Sequence, residues 1–340
     1  MAPLAALFVV SLAAPSLQGL CELFDVTCAR HLSLKTGEKG VRGIFAEQPV
    51  LPGTTILQIP LAACLRDDEA PFESDEWAVR LAASFLDLKQ SKKKSKAQQA
   101  WLALLPMDLR EYLPVHWDES LIGACMSRDL DLAIDCSYFA RAEALHQLQG
   151  YASEQECQDA LDIVQTRCCR VEPGIRLLAP IFDFLNHGGD RSNAEFAREE
   201  NCLVVRTTKT VQAGVEVLID YGESARPGWK CLLNYGFVPT DDDRIDILFD
   251  DVKYSFGPNS IPFELVESIS LKLGHAQADL TPAVCTVLFE CATQMANRNI
   301  DGDEEEPTSW PEQLASDLRL SHRLALLAFA NGLRDYQDAS

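Results

Sequence analysis

Short β-type runs stand on both sides of a long helical stretch, so any fold of this chain must close a sheet across a large insertion. Residues 37–60 (GEKGVRGIFAEQPVLPGTTILQIP) read as a glycine-rich loop followed by two short strands around Pro52-Gly53. Strand patterns return at 175–184 (IRLLAPIFDF), 194–197, 202–207 (CLVVRT) and 215–219 (VEVLI), the last two joined by a turn at Ala213-Gly214. Between these groups the period is helical. Trp77, Leu81, Phe85 and Leu88 share one stripe over 75–88, and helices are predicted at 129–149 and 153–170, separated by Gly150-Tyr151. Pro106 and Pro114 punctuate the segment between, where aromatics pack among short helices. Beyond about residue 260 the pattern is amphipathic helix, broken at 301–307 (DGDEEEP). The class is α+β: a many-stranded, mostly antiparallel core, a helical insert, and a helical appendage after an acidic stretch from Asp241 to Asp251.

Composition narrows the function. Three hundred and forty residues suggest two domains, and a chain this long buries a core without disulfides or metal. Lys plus Arg number 30 against 51 Asp plus Glu, a net charge of −21. A phosphate-tracking protein wants the opposite balance, so nucleic acid is not expected as a partner, whereas a protein target with a basic surface is. The apolar run from Leu4 to Ala14 is eleven residues long, short of the about 20 that span a bilayer, so no stable membrane span is expected. That length suits a signal-peptide core with Ala13-Ala14 at its end, yet no basic residue precedes it. A targeting segment and a buried N-terminal helix both remain open, with cytoplasm, plastid or another organelle as destination. Twelve cysteines lack any C-x-x-C spacing and read as reduced core residues, with no structural zinc. The basic insert Ser91–Lys96 (SKKKSK) reads as a solvated loop, with recognition of an acidic partner as its alternative.

Several residues carry more than packing. Glycines at 37, 40 and 43 invite a phosphate-loop reading, which fails because this loop opens a strand and not a helix. Asp183 and His187 stand four apart, but after a strand and before a Gly-Gly turn, so metal is not expected. Tyr221 ends an alternating strand and precedes Gly222, so its hydroxyl can project into a site. Ordinary roles exist for each. Asn186-His187-Gly188-Gly189 makes a turn by composition alone, and Tyr235 and Phe237 suit core packing.

Taken in order, Gly40-Val41-Arg42-Gly43-Ile44-Phe45-Ala46, Asp183-Phe184-Leu185-Asn186-His187, Ile219-Asp220-Tyr221-Gly222 and Leu233-Asn234-Tyr235-Gly236-Phe237 resemble the SET-domain methyltransferases. The run Trp101…Leu104-Leu105-Pro106…Tyr112-Leu113-Pro114…Trp117 is similar to one in the branch of Rubisco large-subunit lysine methyltransferases and their relatives. The resemblance implies a SET-domain β-fold over 33–240 with a helical insert at about 75–165. A hydrophobic segment over 1–32 would precede it and an α-helical substrate-binding-like domain over 241–340 would follow. It covers about 33–240 well and 260–340 by pattern only; the order and separation of the motifs make it specific.

The resemblance also implies S-adenosyl-L-methionine as cofactor and protein-lysine N-methylation as activity, on a non-histone protein; a monomer is expected. Arg42, Gly43 and Ile44 would line the cofactor. Arg167 would meet its carboxylate through a guanidinium fork and also face the substrate. Asp183, Asn186 and His187 would complete the cofactor side, with the His187 backbone against the adenine edge and Phe237 covering it. Tyr235 would line the lysine channel. Tyr221 would touch the cofactor and be the catalytic residue, orienting a neutral amine in line with the methyl group. Two alternatives stay open: an inactive SET-like scaffold, and transfer to histidine. The family pattern is departed from at Cys168-Cys169-Arg170-Val171 and at Pro227 and Trp229.

Overall fold

The computed structural model describes residues 16–37, 41–106, 108–172, 174–222, 227–239, 245–257, 260–298 and 306–339. The apolar run at 4–14, Gly40 and most of the 301–307 break lie outside them. The chain opens with α1 (Leu17–Leu23), β1 (Thr27–Cys28), β2 (Leu32–Thr36), β3 (Arg42–Ala46), β4 (Thr55–Pro60) and β5 (Leu65–Arg66). Helices α2 (Trp77–Gln90), α3 (Lys96–Leu102), α4 (Glu119–Ala124), α5 (Arg128–Gln147) and α6 (Glu154–Arg167) follow. Next come β6 (Cys169–Val171), β7 (Ile175–Leu178), β8 (Asn186–His187), β9 (Ala194–Glu199), β10 (Cys202–Thr207), β11 (Leu218–Ile219) and α7 (Gly228–Tyr235). The chain closes with β12 (Ile245–Phe249), β13 (Val252–Phe256), α8 (Phe263–Lys272), α9 (Pro282–Arg298) and α10 (Trp310–Ala339). Two compact units result, Met1–Asp108 with Arg141–Ser224, and Leu109–Ala140 with Ala225–Ser340.

The first unit holds most of the sheet. A four-stranded antiparallel sheet runs β1-β4-β10-β9, a three-stranded one β5-β7-β6, β2 pairs with β3, and β11 lies parallel to β8. Ile56, Leu57 and Ile59 of β4 and Leu203 and Val205 of β10 are buried on their shared ladder. Helix α2 has no side-chain cap at its N-terminus, yet Val79, Leu81, Phe85, Leu86 and Leu88 are buried along it. At about 1.5–3 kcal/mol for each large side chain, burial outweighs the roughly 1 kcal/mol of a missing cap. Trp77 stays half-buried under the Arg176 guanidinium, 4.0 Å from its ring. Buried Asp67 ties these layers, pairing with Arg80 of α2 at 2.9 Å and accepting the Arg176 N–H of β7 at 2.8 Å. Helix α6 starts at a capping box, Ser153 with Glu156, and ends on Arg167.

Two strand expectations need correction. The run 175–184 stops at Leu178, because Pro180 offers no N–H to a ladder and Ile181 turns away at φ 72°. Residues 215–219 do not pair with 202–207, since both edges of β10 are taken by β4 and β9. They lie on β3 instead, with the Ala46 N–H donating to the Val215 carbonyl at 3.0 Å and the Val217 N–H to the Ile44 carbonyl at 2.8 Å.

The second unit has two buried clusters. Leu113, Val115, Trp117, Ile122, Leu130 and Ile134 pack with Leu232 and Leu233 of α7 and Leu314 and Leu318 of α10. The other joins α8, α9 and α10 to the antiparallel pair β12–β13 through Ile245, Ile247, Phe256, Ile269, Leu288 and Phe329. This hairpin takes in the end of the acidic stretch at 241–251, of which 241–244 lie outside the described residues. Asp250 and Asp251 both take positive φ, 49° and 63°, as a two-residue hairpin turn of this hand requires.

Candidate functional site

Three of the four ordered motifs converge in the first unit, on a crossing of β3, β8 and β11. The Asn186 amide donates twice, to the Arg42 carbonyl at 3.0 Å and to Glu216 Oε1 at 2.7 Å. Gly43 lies under that bond. A Cβ there would stand 1.9 Å from Glu216 Oε1 and 2.9 Å from Asn186 Nδ2, so only glycine lets the strand approach so closely. Ile44 beside it is fully buried and contributes packing and its carbonyl. Buried Asn193 holds β11 from the other side, donating to the Glu216 carbonyl at 2.9 Å and accepting the Leu218 N–H at 3.0 Å.

Beside this crossing sits a charge cluster. Asp183 is buried; Trp101 Nε1 donates to its Oδ2 at 3.1 Å, and Arg167 Nη1 donates to its backbone carbonyl at 2.9 Å. Arg42 Nη2 donates to the Leu104 carbonyl at 2.6 Å, and its guanidinium covers the Phe184 ring at 4.4 Å. Burial pushes the Asp183 carboxyl above its ordinary range, against the pull of Arg167, Trp101 and Arg42. Burial also lowers the Arg42 pKa, with Asp183 opposing and Arg167 reinforcing the shift. Among these three groups two guanidiniums act on one buried carboxyl, so their sum is positive. Arg42 Nε, Arg167 Nε and Asp183 Oδ1 are buried without a hydrogen-bond partner among the described residues. Unspent cationic donors of this kind fit the carboxylate of an amino-acid head group, as S-adenosylmethionine carries.

Tyr221 follows β11 at half-burial. Its hydroxyl donates to the Leu185 carbonyl at 2.8 Å, one residue before Asn186-His187. Its N–H donates to His187 Nδ1 at 3.2 Å, and the two rings lie 5.2 Å apart. The Asp220 carboxylate approaches the same Nδ1 at 3.8 Å. Backbone strain is stored close by: Ile181 is buried with φ 72° and ψ −42°, a region β-branched residues avoid.

The fourth motif falls in the second unit. Tyr235 ends α7, and its ring stands 6.1 Å from that of Phe237. Gly236 between them takes φ 74°, and a Cβ there would meet Tyr112 Cβ at 2.8 Å. Tyr112 in turn packs on Trp310 at 5.5 Å. The Tyr-Leu-Pro part of the insert motif and the Tyr-Gly-Phe motif thus meet each other. Reading the sequence by motif missed Glu216 and Asn193, which hold the crossing, and the part Trp101, Phe184 and Ile181 play beside Asp183. Glu216, a lone carboxylate among valines in 215–219, was the visible signal.

Residues 41–222 match the SET domain family. The chain belongs to the SET-domain family. SET domain-containing protein 8 of Schizosaccharomyces pombe (strain 972 / ATCC 24843) is 24% identical over 245 residues, which are 64% of this chain and 56% of that protein. The chain therefore matches little more than half the length of that curated relative. Among solved structures, the SET domain of LSMT bound to lysine and AdoHcy shares the fold at a TM-score of 0.63 and 14% identity, over 94% of this chain and 90% of that one. Rubisco LSMT bound to AdoMet superposes equally, at 0.63 and 14%, over 94% and 91%. The α+β architecture, with its short antiparallel sheets, helical insert and C-terminal helices, is that of the LSMT-like SET fold. Among the described residues no helix is long and apolar enough to cross a membrane.

Proposed function

We propose that this SET-domain chain is an S-adenosylmethionine-dependent protein-lysine N-methyltransferase acting on a non-histone protein with a basic surface. One observation carries the reading: the Tyr221 phenol is held 2.8 Å from the Leu185 carbonyl, where the Asn-His segment meets the Arg-Gly strand. When bound, S-adenosylmethionine supplies a methyl group already activated on a sulfonium, so neither metal nor strong base is needed. Arg42 and Arg167 hold its carboxylate with the positive charge left over beside Asp183. The backbone of Gly43, Ile44, Asn186 and His187 lines the rest, and Arg167 faces the entering side chain.

Because the Tyr221 O–H is spent on the Leu185 carbonyl, its oxygen serves an incoming N–H as an acceptor. That contact fixes the direction of the amine lone pair. A lysine with an ordinary pKa of about 10.4 must arrive neutral, and burial beside a cation disfavours its ammonium form. The proposed layout keeps 33–240 as the SET region and 241–340 as the part that docks the target.

Calorimetry with S-adenosylmethionine and transfer from methyl-labelled cofactor into a proteome extract test the reading together, and mass spectrometry identifies the acceptor side chain. Binding followed by labelling of lysine is expected; absence of binding overturns it. Tyr221→Phe is expected to retain cofactor affinity and to lower kcat by about 10²–10³-fold, the usual loss of an aligned polar contact in a transition state. Full activity in that variant removes Tyr221 from the mechanism.

A further inference from the structure

The basic insert is not used by the site. Five of the chain's eleven lysines, Lys89, Lys92, Lys93, Lys94 and Lys96, fall within eight residues of a chain whose net charge is −21. The remaining described lysines are engaged. Lys35 pairs with Glu47, Lys253 with Asp246 and Asp129, and Lys272 with Asp250. Lys209 donates to the Asp190 carbonyl and Lys230 lies over the Trp229 ring. Inside the insert, Lys94 is also bound, to the carbonyls of Lys89 at 2.7 Å and Ser91 at 2.6 Å, which closes the end of α2. Lys89 is half-buried, with Glu156 in its field. Lys96 is exposed, but it is the first residue of α3, fixed by the Ser95–Gln98 capping box. Lys92 and Lys93 differ. Both are exposed at the tip of the turn between α2 and α3, and neither side chain has a hydrogen bond, ion pair or ring contact.

A lysine entering a narrow methyl-transfer site must shed its partners and stand clear of its own backbone, and among the described lysines only these two meet both conditions without cost. Resting on the methyltransferase reading above, we infer that Lys92 and Lys93 are self-methylation sites, modified by a second copy of this chain. Leu88 before the turn and Ala97 after it are buried, so the turn cannot fold back into its own site without unpacking both helices. The attraction is local, basic tip to acidic surface, and two copies of like net charge meet only weakly. In the step, the neutral Nζ lone pair forms the N–C bond as the methyl C–S bond breaks. The electron pair passes to sulfur, leaving S-adenosylhomocysteine, and the amine gives its extra proton to water.

The test incubates the purified full chain with methyl-labelled S-adenosylmethionine and no other protein, then maps the label by mass spectrometry. Label on Lys92 or Lys93 is expected, at a rate per molecule that rises with protein concentration. Lys92→Arg with Lys93→Arg keeps the charge and is expected to abolish nearly all self-labelling while leaving labelling of a proteome extract unchanged. As a pure acceptor, the Tyr221→Phe chain is expected to be labelled by wild-type protein, and the same chain with both arginines is not. An extract that is labelled while the turn is not, or self-labelling confined to other lysines, overturns this proposal and leaves the methyltransferase reading standing. A rate per molecule independent of concentration overturns transfer between copies. Absence of both cofactor binding and extract labelling removes the activity itself, and this inference with it.

Discussion

At the scale of single residues, the site depends on contacts too close for ordinary side chains. Glu216 is the far end of a flexible side chain and could swing away from a new methyl group at position 43, but doing so breaks its 2.7 Å bond with the Asn186 amide. Gly43→Ala is therefore expected to cost about 1.5–3 kcal/mol, the worth of a hydrogen bond to a charged group, read as a lower urea midpoint. Adding Glu216→Ala removes the nearer of the two obstacles, so the double variant is expected to be more stable than the sum of the two single losses. Strict additivity would show that the strand does not close on that carboxylate. Asp183 gives a second handle. Burial raises its folded-state pKa above the unfolded value, so between the two the native state holds a proton that the unfolded chain has released. The contribution is fully present below the ordinary carboxylate range and is lost as pH rises through the raised value. Relative to Asp183→Asn, which keeps an acceptor for Trp101, the wild type is expected to lose stability as pH climbs from about 4 upward. Denaturation midpoints for both proteins across that range measure it, and parallel profiles would show that the carboxyl titrates alike folded and unfolded.

At the scale of elements, the sequence was legible wherever a local rule decided the outcome. Helices α2 and α5 fall close to the periodic stretches at 75–88 and 129–149, and α6 covers 153–170 except for its end, where Cys168 turns extended and Cys169 and Arg170 join β6; stripe, capping box and the Gly150-Tyr151 break are all short-range signals. Strand β10 matches its residues at 202–207. What failed was partner choice. Alternation at 215–219 showed that a strand belonged there, yet only the full sheet shows that β10 has no free edge and that the segment must lie on β3. The run 175–184 erred in the opposite sense, since apolar content carried the strand reading past Pro180, where the ladder has no donor. The β12–β13 hairpin was hidden by its own charge: in IDILF-DD-VKYSF, the paired aspartates make the turn, but they stand in a run of acidic residues that masks the alternation on either side. The ordered motifs marked Arg42, Asn186 and Tyr221 because their spacing is itself a pattern. Glu216 and Trp101 have no such pattern and act through contacts across 30 and 82 positions of sequence.

For the whole molecule the governing quantity is charge. A net −21 over 340 residues creates a field felt by any basic protein before contact, and the effect belongs to encounter and not to the chemical step. At low salt that field reaches beyond single side chains; at about 0.1 M ionic strength the screening length shrinks to roughly 10 Å. Raising salt from about 20 to about 200 mM is therefore expected to lower kcat/KM for a basic protein target several-fold while kcat stays nearly constant. The affinity for S-adenosylmethionine, which the proposed reading places at the Arg42–Arg167–Asp183 cluster, is expected to change much less over the same range. Steady-state kinetics on a labelled basic protein, with calorimetry of the cofactor alone, separate the two. A kcat/KM that does not change with salt would mean that the target is chosen by shape or apolar contact, and that the acidic surface serves solubility alone.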